Sequence, residues 1–434
     1  MMQHHQTSFL AVPIRPAVEP AGGWVWERPD PGRGIRIEAV GDTPGFERLR
    51  DEWTELLASS AADCFFLTWE WLFTWWKHLS ESRKLSLLTI RDGGRLLGIA
   101  PLALRPARVR SLLPFRALEF LGSGTVGSDY PDLILRRGSE AEALEALALH
   151  LERGRHPVEM ANIRAEASQA FELGRCLGER RWSQWKAATN VCPVVHLEGL
   201  TWEGYLASLG RSHRSNFLRR SNNLSRRFRV RLDMATTEDQ RRESLAILVD
   251  LHHRCREGRS PSEAFHTAPL LTFHDELSRV ALQRGWLRLF VLRLDERPVA
   301  SLYGFHYRRR FYFYQSGFDP LFARQSVGLV LMGLSIRQAL REGASEYDLL
   351  HGDELYKFHW AREARTLARL ELYPPGIGGR IRRQATRWMR AARKLARRTL
   401  FRSRLSATTR AENAPQKGDS QCSEAFSRPA ARAR

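Results

Sequence analysis

Ser345 to Trp360 reads SEYDLLHGDELYKFHW, and the place of this stretch in the chain decides the fold. Tyr347-Asp348-Leu349-Leu350 predicts a short buried strand. Gly352 breaks it, and the next eight residues hold an acid, a phenol, an amine, an imidazole and an indole. Upstream, Val327 to Arg341 has helical periodicity, with Gly343 as the residue that stops it. Three strand-like runs come earlier: Leu287–Leu294, Val299–Tyr307 and Phe311–Ser316. Strand, strand, strand, helix, strand, with polar residues at the carboxyl end of the last strand, is the arrangement in which open α/β sheets hold ligands.

The chain has 434 residues, 43% of them hydrophobic, enough to bury two ordinary cores. It lacks a run of 18 uncharged apolar residues, and its first twenty residues do not read as a secretory signal. Five cysteines (Cys64, Cys176, Cys192, Cys255, Cys422) have no CxxC spacing, which predicts a cytoplasmic protein with neither a disulfide framework nor a metal site. The formal charge of +20 raises the question of acidic partners. From Gly376 onward, sixteen Lys and Arg stand against three acids, about +13, so the basicity belongs mostly to the C-terminal tail.

Four segments follow: a Pro/Gly-rich leader over 1–35, a first lobe over 36–199, a second over 200–375, and a basic tail over 376–434. In the first lobe Thr43 is the expected N-cap of a helix bearing Phe46, Leu49, Trp53 and Leu56. A second helix packs four tryptophans into Trp69–Trp76, which either line a cleft or cover the other lobe. Asp92-Gly93-Gly94 marks a hairpin. Strands are expected at Leu118–Leu121, Leu133–Leu135, Val158–Ile163, Trp182–Ala187 and Val194–Leu197, and helices at Ser139–Arg153 and Gln169–Glu179. The Gly/Ser-rich loop Gly122–Tyr130 has no lysine and no following GK[ST], which excludes a P-loop. The second lobe opens with a short helix capped by Thr201, then a helix crowded by Arg211, Arg214, Arg219, Arg220, Arg226, Arg227 and Arg229, read either as a solvated face or as an anion-binding rim. Helices at Glu238–Arg256 and Pro269–Arg284 follow. The hairpin LRLFVLRLDERPVASLYGFHY then repeats the design of LSLLTIRDGGRLLGIAPLALR, so two similar α/β lobes are expected in tandem.

This order of elements is similar to the GNAT acyltransferase fold, whose helix start [QR]-x-x-G-x-[GA] binds acyl-CoA pyrophosphate. Here Gln325-Ser326-Val327-Gly328-Leu329-Val330 supplies the Gln and Gly, with Val330 at the last position. Tyr312–Pro320, Tyr347-Asp348, Gly352-Asp353, Tyr356-Lys357 and Trp360 together resemble the CelD/BcsL group, GNAT-type acetyltransferases of cellulose and exopolysaccharide synthesis. Phe65-Phe66, Trp71 and the Arg214–Arg227 helix resemble that group too, and the likeness spans about residues 36–373. FemAB aminoacyl-tRNA-dependent peptidyltransferases share the tandem architecture.

The resemblance implies two GNAT-like lobes with mixed sheets flanked by helices. It implies acetyl-CoA contacts at Gln315, Ser316, Gln325, Ser326 and Gly328, and acceptor contacts at Trp71, Arg214 and Trp360. The implied acceptor is a sugar or sugar-linked precursor of a surface polysaccharide. Acyl transfer from a thioester needs a proton acceptor and an oxyanion donor. Asp348 is the first choice of base, with His351 and His359 as alternatives, and Lys357 and Tyr356 supply charge or a hydroxyl. Two rivals stand beside this reading. One is a FemAB-like transferase in which the arginine-rich helix holds tRNA phosphates; the other is a non-catalytic GNAT fold that recruits other machinery. In the tail, Ile381, Ala385, Trp388, Ala392 and Leu395 form an apolar stripe among arginines, which predicts a helix over 380–404 on the anionic face of the inner membrane. The alternative is a helix docked on the first lobe.

Overall fold

Two-residue turns set the sheet, and the computed structural model describes residues 34–106, 116–124, 126–256, 264–388 and 391. Residues 1–33 of the expected leader, the tail from 392 onward and residues 389–390 lie outside these residues. The first half supplies β1 (Ile35–Val40), β2 (Lys84–Asp92), β3 (Arg95–Arg105), β4 (Ala117–Phe120), β5 (Ile134–Leu135), β6 (Val158–Arg164) and β7 (Ser183–His196). The second supplies β8 (Val230–Met234), β9 (Leu287–Leu294), β10 (Arg297–Tyr307), β11 (Arg310–Phe318), β12 (Glu346–Asp348) and β13 (Glu363–Tyr373). Gly93 and Gly94 join β2 to β3 with φ of +52° and +94°, values glycine adopts without strain. Asp295-Glu296 and Arg308-Arg309 close the next hairpins in the same left-handed region.

All thirteen strands form one sheet, in the order β1-β2-β3-β4-β6-β13-β7-β12-β11-β10-β9-β8, with β5 beside β3. The order is a duplication read from both ends. In each half an antiparallel series leads to one parallel pair, β4 with β6 and β11 with β12. The last strand of each half then crosses over: β13 pairs with β6, β7 pairs with β12, and the two exchanged strands pair with each other. The exchange gives each half a strand from the other, so the halves share one hydrogen-bonded sheet.

Helices cover both faces. On one lie α1 (Thr43–Arg48), α2 (Arg50–Ala58) and α3 (Trp69–Leu79), together with α8 (Glu238–Arg256) and α9 (Ala268–Gln283) from the second half. Their apolar sides make one core across the halves, in which Phe65 stacks on Phe305 at 4.0 Å and Trp71 meets Phe273 edge-on. Lys77 and His78 both reach Glu276 at 2.6 Å. The tryptophan-rich helix therefore packs one half on the other. On the opposite face, α4 (Glu140–Gly154) and α5 (Gln169–Glu179) seal the first half. There α6 (Trp202–Ser208), α7 (Arg211–Arg227) and α10 (Val327–Arg341) seal the second.

Local readings differ from expectation at four points. Asp42, not Thr43, caps α1, because its carboxylate accepts from the Gly45 amide at 2.7 Å. The strands expected at 182–187 and 194–197 are one strand, since β13 pairs along β7 from Ser183 to Val194 and overrides the polar residues between. The strand at Tyr347 stops at Asp348, because Leu350 turns to φ +54°. A last strand, legible in sequence over Thr366–Tyr373 before Pro374-Pro375, starts earlier, at Glu363. Among the described residues no helix is long and apolar enough to cross a membrane, and no group of three His, Cys, Asp or Glu converges as a metal ion would require.

Candidate active site

The site is built where β11 and β12 part. Their parallel pairing covers only Arg310, Phe311 and Tyr312 against Glu346, Tyr347 and Asp348, and β11 then runs on to Phe318 without β12. Just past the parting, Tyr303 faces Gln315 while Gly304 faces Phe313, so Tyr314 is the extra residue of a bulge. Bulges re-aim backbone groups, and this one follows directly on the parting of β11 from β12, after which the chain of β12 turns at Leu350-His351-Gly352.

A loop of the first half closes on that turn. Asp129 is wholly buried, and its carboxylate receives the His351 amide and meets His351 Nδ1, each at 2.9 Å. The imidazole is 39% exposed, so its other edge faces outward. A proton on Nδ1, donated to the Asp129 carboxylate, leaves Nε2 as the basic edge of the ring. The hydrogen bond to Asp129, working against burial, raises the His351 pKa above the usual histidine range. Gly127 adopts φ +71°, and a Cβ there would come within 3.4 Å of the imidazole Cε1, so glycine lets the loop lie over the ring. Beneath the loop, Trp71 donates to Ser128 at 2.9 Å and Ser128 donates to the Gly122 carbonyl at 2.9 Å. Tyr314 Oη reaches the Val126 carbonyl from the β11 bulge.

Asp348 sits one layer deeper. It is fully buried and accepts from Tyr130 Oη and the Leu350 amide, both at 2.8 Å, with Arg365 at 3.3 Å. Burial pushes its carboxyl up to about 6 against the pull of Arg365. Nothing exposes it to an acceptor. It fixes the Leu350 turn that aims His351 and holds Tyr130 next to Asp129. Lys357, in the short helix α11 (Leu355–Phe358), is buried as well. Its ammonium donates to the carbonyls of His351 at 2.8 Å and Leu350 at 3.3 Å and pairs with Glu354 at 3.1 Å. It staples the turn from inside, while Tyr356 stands exposed beside it. His359 lies 5.2 Å from the ring of His213, away from Asp129.

Two residues expected to touch an acceptor do not face solvent. Trp71 is fully buried, donates to Ser128 and meets the Tyr314 ring edge-on at 5.7 Å. Trp360 is 2% exposed, packs edge-on against His213 at 4.4 Å, and takes the Tyr205 hydroxyl on its carbonyl at 3.1 Å. Both bury because a large ring beside an open seam gains more from packing than from solvent. Arg214 is half-buried on α7.

Along β11 from the bulge lies the start of α10. Phe318 is four residues beyond Tyr314, about 13 Å at the strand rise. A 3-10 turn, Pro320–Gln325, leads into Ser326, which has φ +59° and makes no side-chain cap bond. The first turn of α10 holds no acid, and its first amides have no intrahelical partner. Gly328 is exposed, and a Cβ there would meet only Phe318 Cδ1 at 3.8 Å, so internal packing does not demand glycine. Arg220 donates to the Arg324 carbonyl at 2.7 Å, and Gln325 Oε1 is buried without a partner. An uncapped helix start beside two arginines, with room for close approach, fits a phosphate. Gln315 and Ser316 are half-buried on β11, and the Ser316 carbonyl faces His252 Nδ1 at 2.9 Å.

Sequence reasoning named His351 as an alternative base but missed Asp129. The available signal was the loose echo between Ser128-Asp129-Tyr130 and Ser345-Glu346-Tyr347, which places an acid at matched points of the two halves.

Comparison with known proteins bears on the fold. Residues 211–358 match the family described as Acetyltransferase (GNAT) domain. The whole fold is similar to the crystal structure of FemX, with a TM-score of 0.53 and 11% identity over 74% of this chain and 95% of that one. It is also similar to a conserved protein of unknown function from Bacteroides thetaiotaomicron VPI-5482, with a TM-score of 0.51 and 13% identity over 78% of this chain and 100% of that one. At such identities the likeness shows the fold alone. No curated protein matches the chain. Residues 211–358 are thus similar to a GNAT acetyltransferase domain, set in a mixed α/β fold whose two halves repeat one strand order.

Proposed function

We propose that this chain is an acyl-CoA-dependent acyltransferase, with acetyl-CoA as donor, that uses His351 as its general base. The observation that carries the reading is the Asp129–His351 pair, placed by both halves at the carboxyl end of β12. Asp129 orients the imidazole. Nε2 takes the proton of an acceptor hydroxyl or amine as that group attacks the thioester carbonyl. Backbone amides around the Tyr314 bulge face the carbonyl oxygen as it gains charge. His351 then returns the proton to the leaving thiolate. The thioester is already activated, so no covalent enzyme intermediate is needed. Gln325, Ser326 and Gly328 hold the donor pyrophosphate at the start of α10, with Gln315 and Ser316 alongside its arm. Tyr356 and Arg214 are the assigned residues left partly open to an acceptor.

The acceptor class rests on resemblance. The residues shared with the CelD/BcsL group support a sugar or sugar-linked precursor of a surface polysaccharide, modified in the cytoplasm by the lobe 200–375 with 36–199 as its partner. A second reading draws on α7, where Arg211, Arg219, Arg226 and Arg227 are exposed with no acid on the helix. That face suits tRNA phosphates in an aminoacyl-tRNA-dependent transferase. Thermal unfolding of the full chain with acetyl-CoA or with aminoacyl-tRNA separates the two. Stabilisation by acetyl-CoA, retained in His351→Gln while turnover is lost, is the expected result. Stabilisation by charged tRNA and none by acetyl-CoA overturns it.

A further inference from the structure

The helix that follows β13 packs on the body with the wrong face for a core element. It covers 377–388 and starts from a tight approach in which a Cβ on Gly379 would collide with the Pro374 carbonyl. At 100° per residue, Ile377, Ile381 and Trp388 lie within about 40° of one another. All three are exposed, at 75%, 55% and 68%. The side turned inward is the opposite one: Gly379 is buried, and Arg382 and Thr386 are half-buried. Arg382 lies close enough to His156 to help lower the pKa of that histidine, after burial. The helix is therefore held by its polar flank and displays its apolar stripe. Over 377–388 the helix thus lies against the first half, near His156 and Trp185, with Ala385 half-buried and Ile377, Ile381 and Trp388 turned outward; Ala392 and Leu395 of the expected stripe lie outside the described residues.

The charges complete the surface. Arg380, Arg383 and Arg387 are exposed along one border of the stripe. Arg383 and Arg387, with Trp185 and Tyr373, line a cavity of about 360 Å³ between the helix and the β7–β13 face. Such a recess, with two guanidinium groups and two aromatic rings at the edge of an exposed apolar stripe, matches a phospholipid headgroup whose acyl chains lie beneath the helix. The sequence has no acid between Glu371 and Glu412, and the Glu371 carboxylate beside the recess is buried, taking the Tyr373 hydroxyl. Trp388 suits the headgroup level, where an amphipathic ring is favoured.

We propose that the helix 377–388 is a docking surface for an anionic lipid bilayer, with Ile377, Ile381 and Trp388 entering the interface and Arg383 and Arg387 binding headgroup phosphate. The surface faces away from the sheet and would hold the transferase at a membrane without spanning it. It does not depend on the identity of the acceptor or on the chemistry at His351.

Co-sedimentation of the full chain with vesicles of phosphatidylcholine, alone or with phosphatidylglycerol, tests it. Tight binding is expected only to the anionic vesicles, weakening at high salt, with about a five-fold loss for each arginine neutralised at 383 or 387. The double variant Ile381→Ser/Trp388→Ser should lose binding while keeping its unfolding temperature and acetyl-CoA turnover. If that variant binds as well as wild type, the attraction comes from cations elsewhere in the tail and the assignment falls. A dimer in lipid-free buffer that the same variant abolishes would instead give the stripe to a second copy. Equal hydrogen exchange over 377–388 with and without vesicles would also overturn the proposal.

Discussion

The two halves of the sheet make the same parallel pair and use it differently. In the first, β4 and β6 pair only at Leu118–Val158 and Glu119–Glu159 before they part. The chain after β4 then fills the gap it leaves. The Tyr130 amide donates to the Asn162 carbonyl at 3.0 Å, and Asn162 Nδ2 donates to the Ser128 carbonyl at 3.2 Å. In the second half the chain after β11 makes a helical turn and leaves directly into α10. The filling loop of the first half is thus spent on the second: its Asp129 and Tyr130 reach His351 and Asp348. The helix starts diverge as well. Glu140 and Glu142 occupy the first turn of α4, and the Glu140 carboxylate takes the Gly138 amide at 2.7 Å. That start already holds its anion, whereas α10 begins with no acid. Duplicated topology carries one site because one copy supplies parts to the other.

The contrast predicts that catalysis fails when the second half is altered and tolerates change at the matched point of the first. His351→Gln should lower kcat by roughly 10²–10⁴ with little change in KM for acetyl-CoA. An unchanged kcat would remove the base from this turn. Next in size, Gly328→Glu should raise KM for acetyl-CoA by about 10- to 100-fold and leave the unfolding temperature near wild type, since the position is exposed and a Cβ there meets only Phe318. The counterpart Glu140→Gln/Glu142→Gln should leave acetyl-CoA affinity unchanged. Gain of a second acetyl-CoA site in that variant would show that acidity alone distinguishes the halves.

Much of this was legible before any coordinates. The strands and helix from Leu287 to Arg341 were readable because apolar periodicity there agrees with turn chemistry at Asp295-Glu296 and the stop at Gly343. The strand exchange was not legible, because β7 and β13 are distant in the chain even at their nearest pairing, Val194 with Glu363, and nothing local marks which edge a strand joins. The site divides in the same way. Gln325, Gly328 and Asp348 sit in one contiguous stretch, and sequence reasoning reached them. Asp129 is 222 residues from His351, and only the folded sheet brings the two together. Lys357 was chosen from sequence for its charge, and its inward placement was not legible, because it depends on the carbonyls of Leu350 and His351 that a left-handed turn leaves open to the ammonium.

A smaller effect tests whether Asp129 orients or merely packs. Asp129→Asn removes the negative charge that raises the His351 pKa, so the acidic limb of the kcat/KM profile should move to lower pH as kcat falls. The same pair has a stability signature. A histidine raised in the fold contributes stability that is complete below its ordinary range and is lost as pH rises through the raised folded value. Asp129→Asn should therefore cost most stability on the acid side of that window. A fall in kcat with an unmoved pH profile would mean that Asp129 only shapes the loop.

The smallest effect on turnover is expected at Asp348, the residue that sequence alone would choose as base. Being enclosed, it acts by holding the Leu350 turn and Tyr130, and the substitution Asp348→Asn keeps an oxygen for the Leu350 amide. That variant should lower kcat by less than about ten-fold, against the 10²–10⁴ expected of a base. Its larger consequence is on stability. The Asp348 carboxyl titrates near 6 in the fold and near its ordinary 3.8 unfolded. Below 3.8 both states hold the proton and the group is neutral to stability. Between 3.8 and about 6 the unfolded chain ionises first, so wild-type stability falls as pH rises, and above about 6 the loss is complete. Over two pH units that loss amounts to about 3 kcal/mol at most. The amide of the variant does not titrate, so denaturant unfolding at pH 4 and pH 7 should show Asp348→Asn gaining on wild type between the two. A constant difference would mean that Arg365 keeps Asp348 ionised throughout and that the carboxylate is available as a base after all.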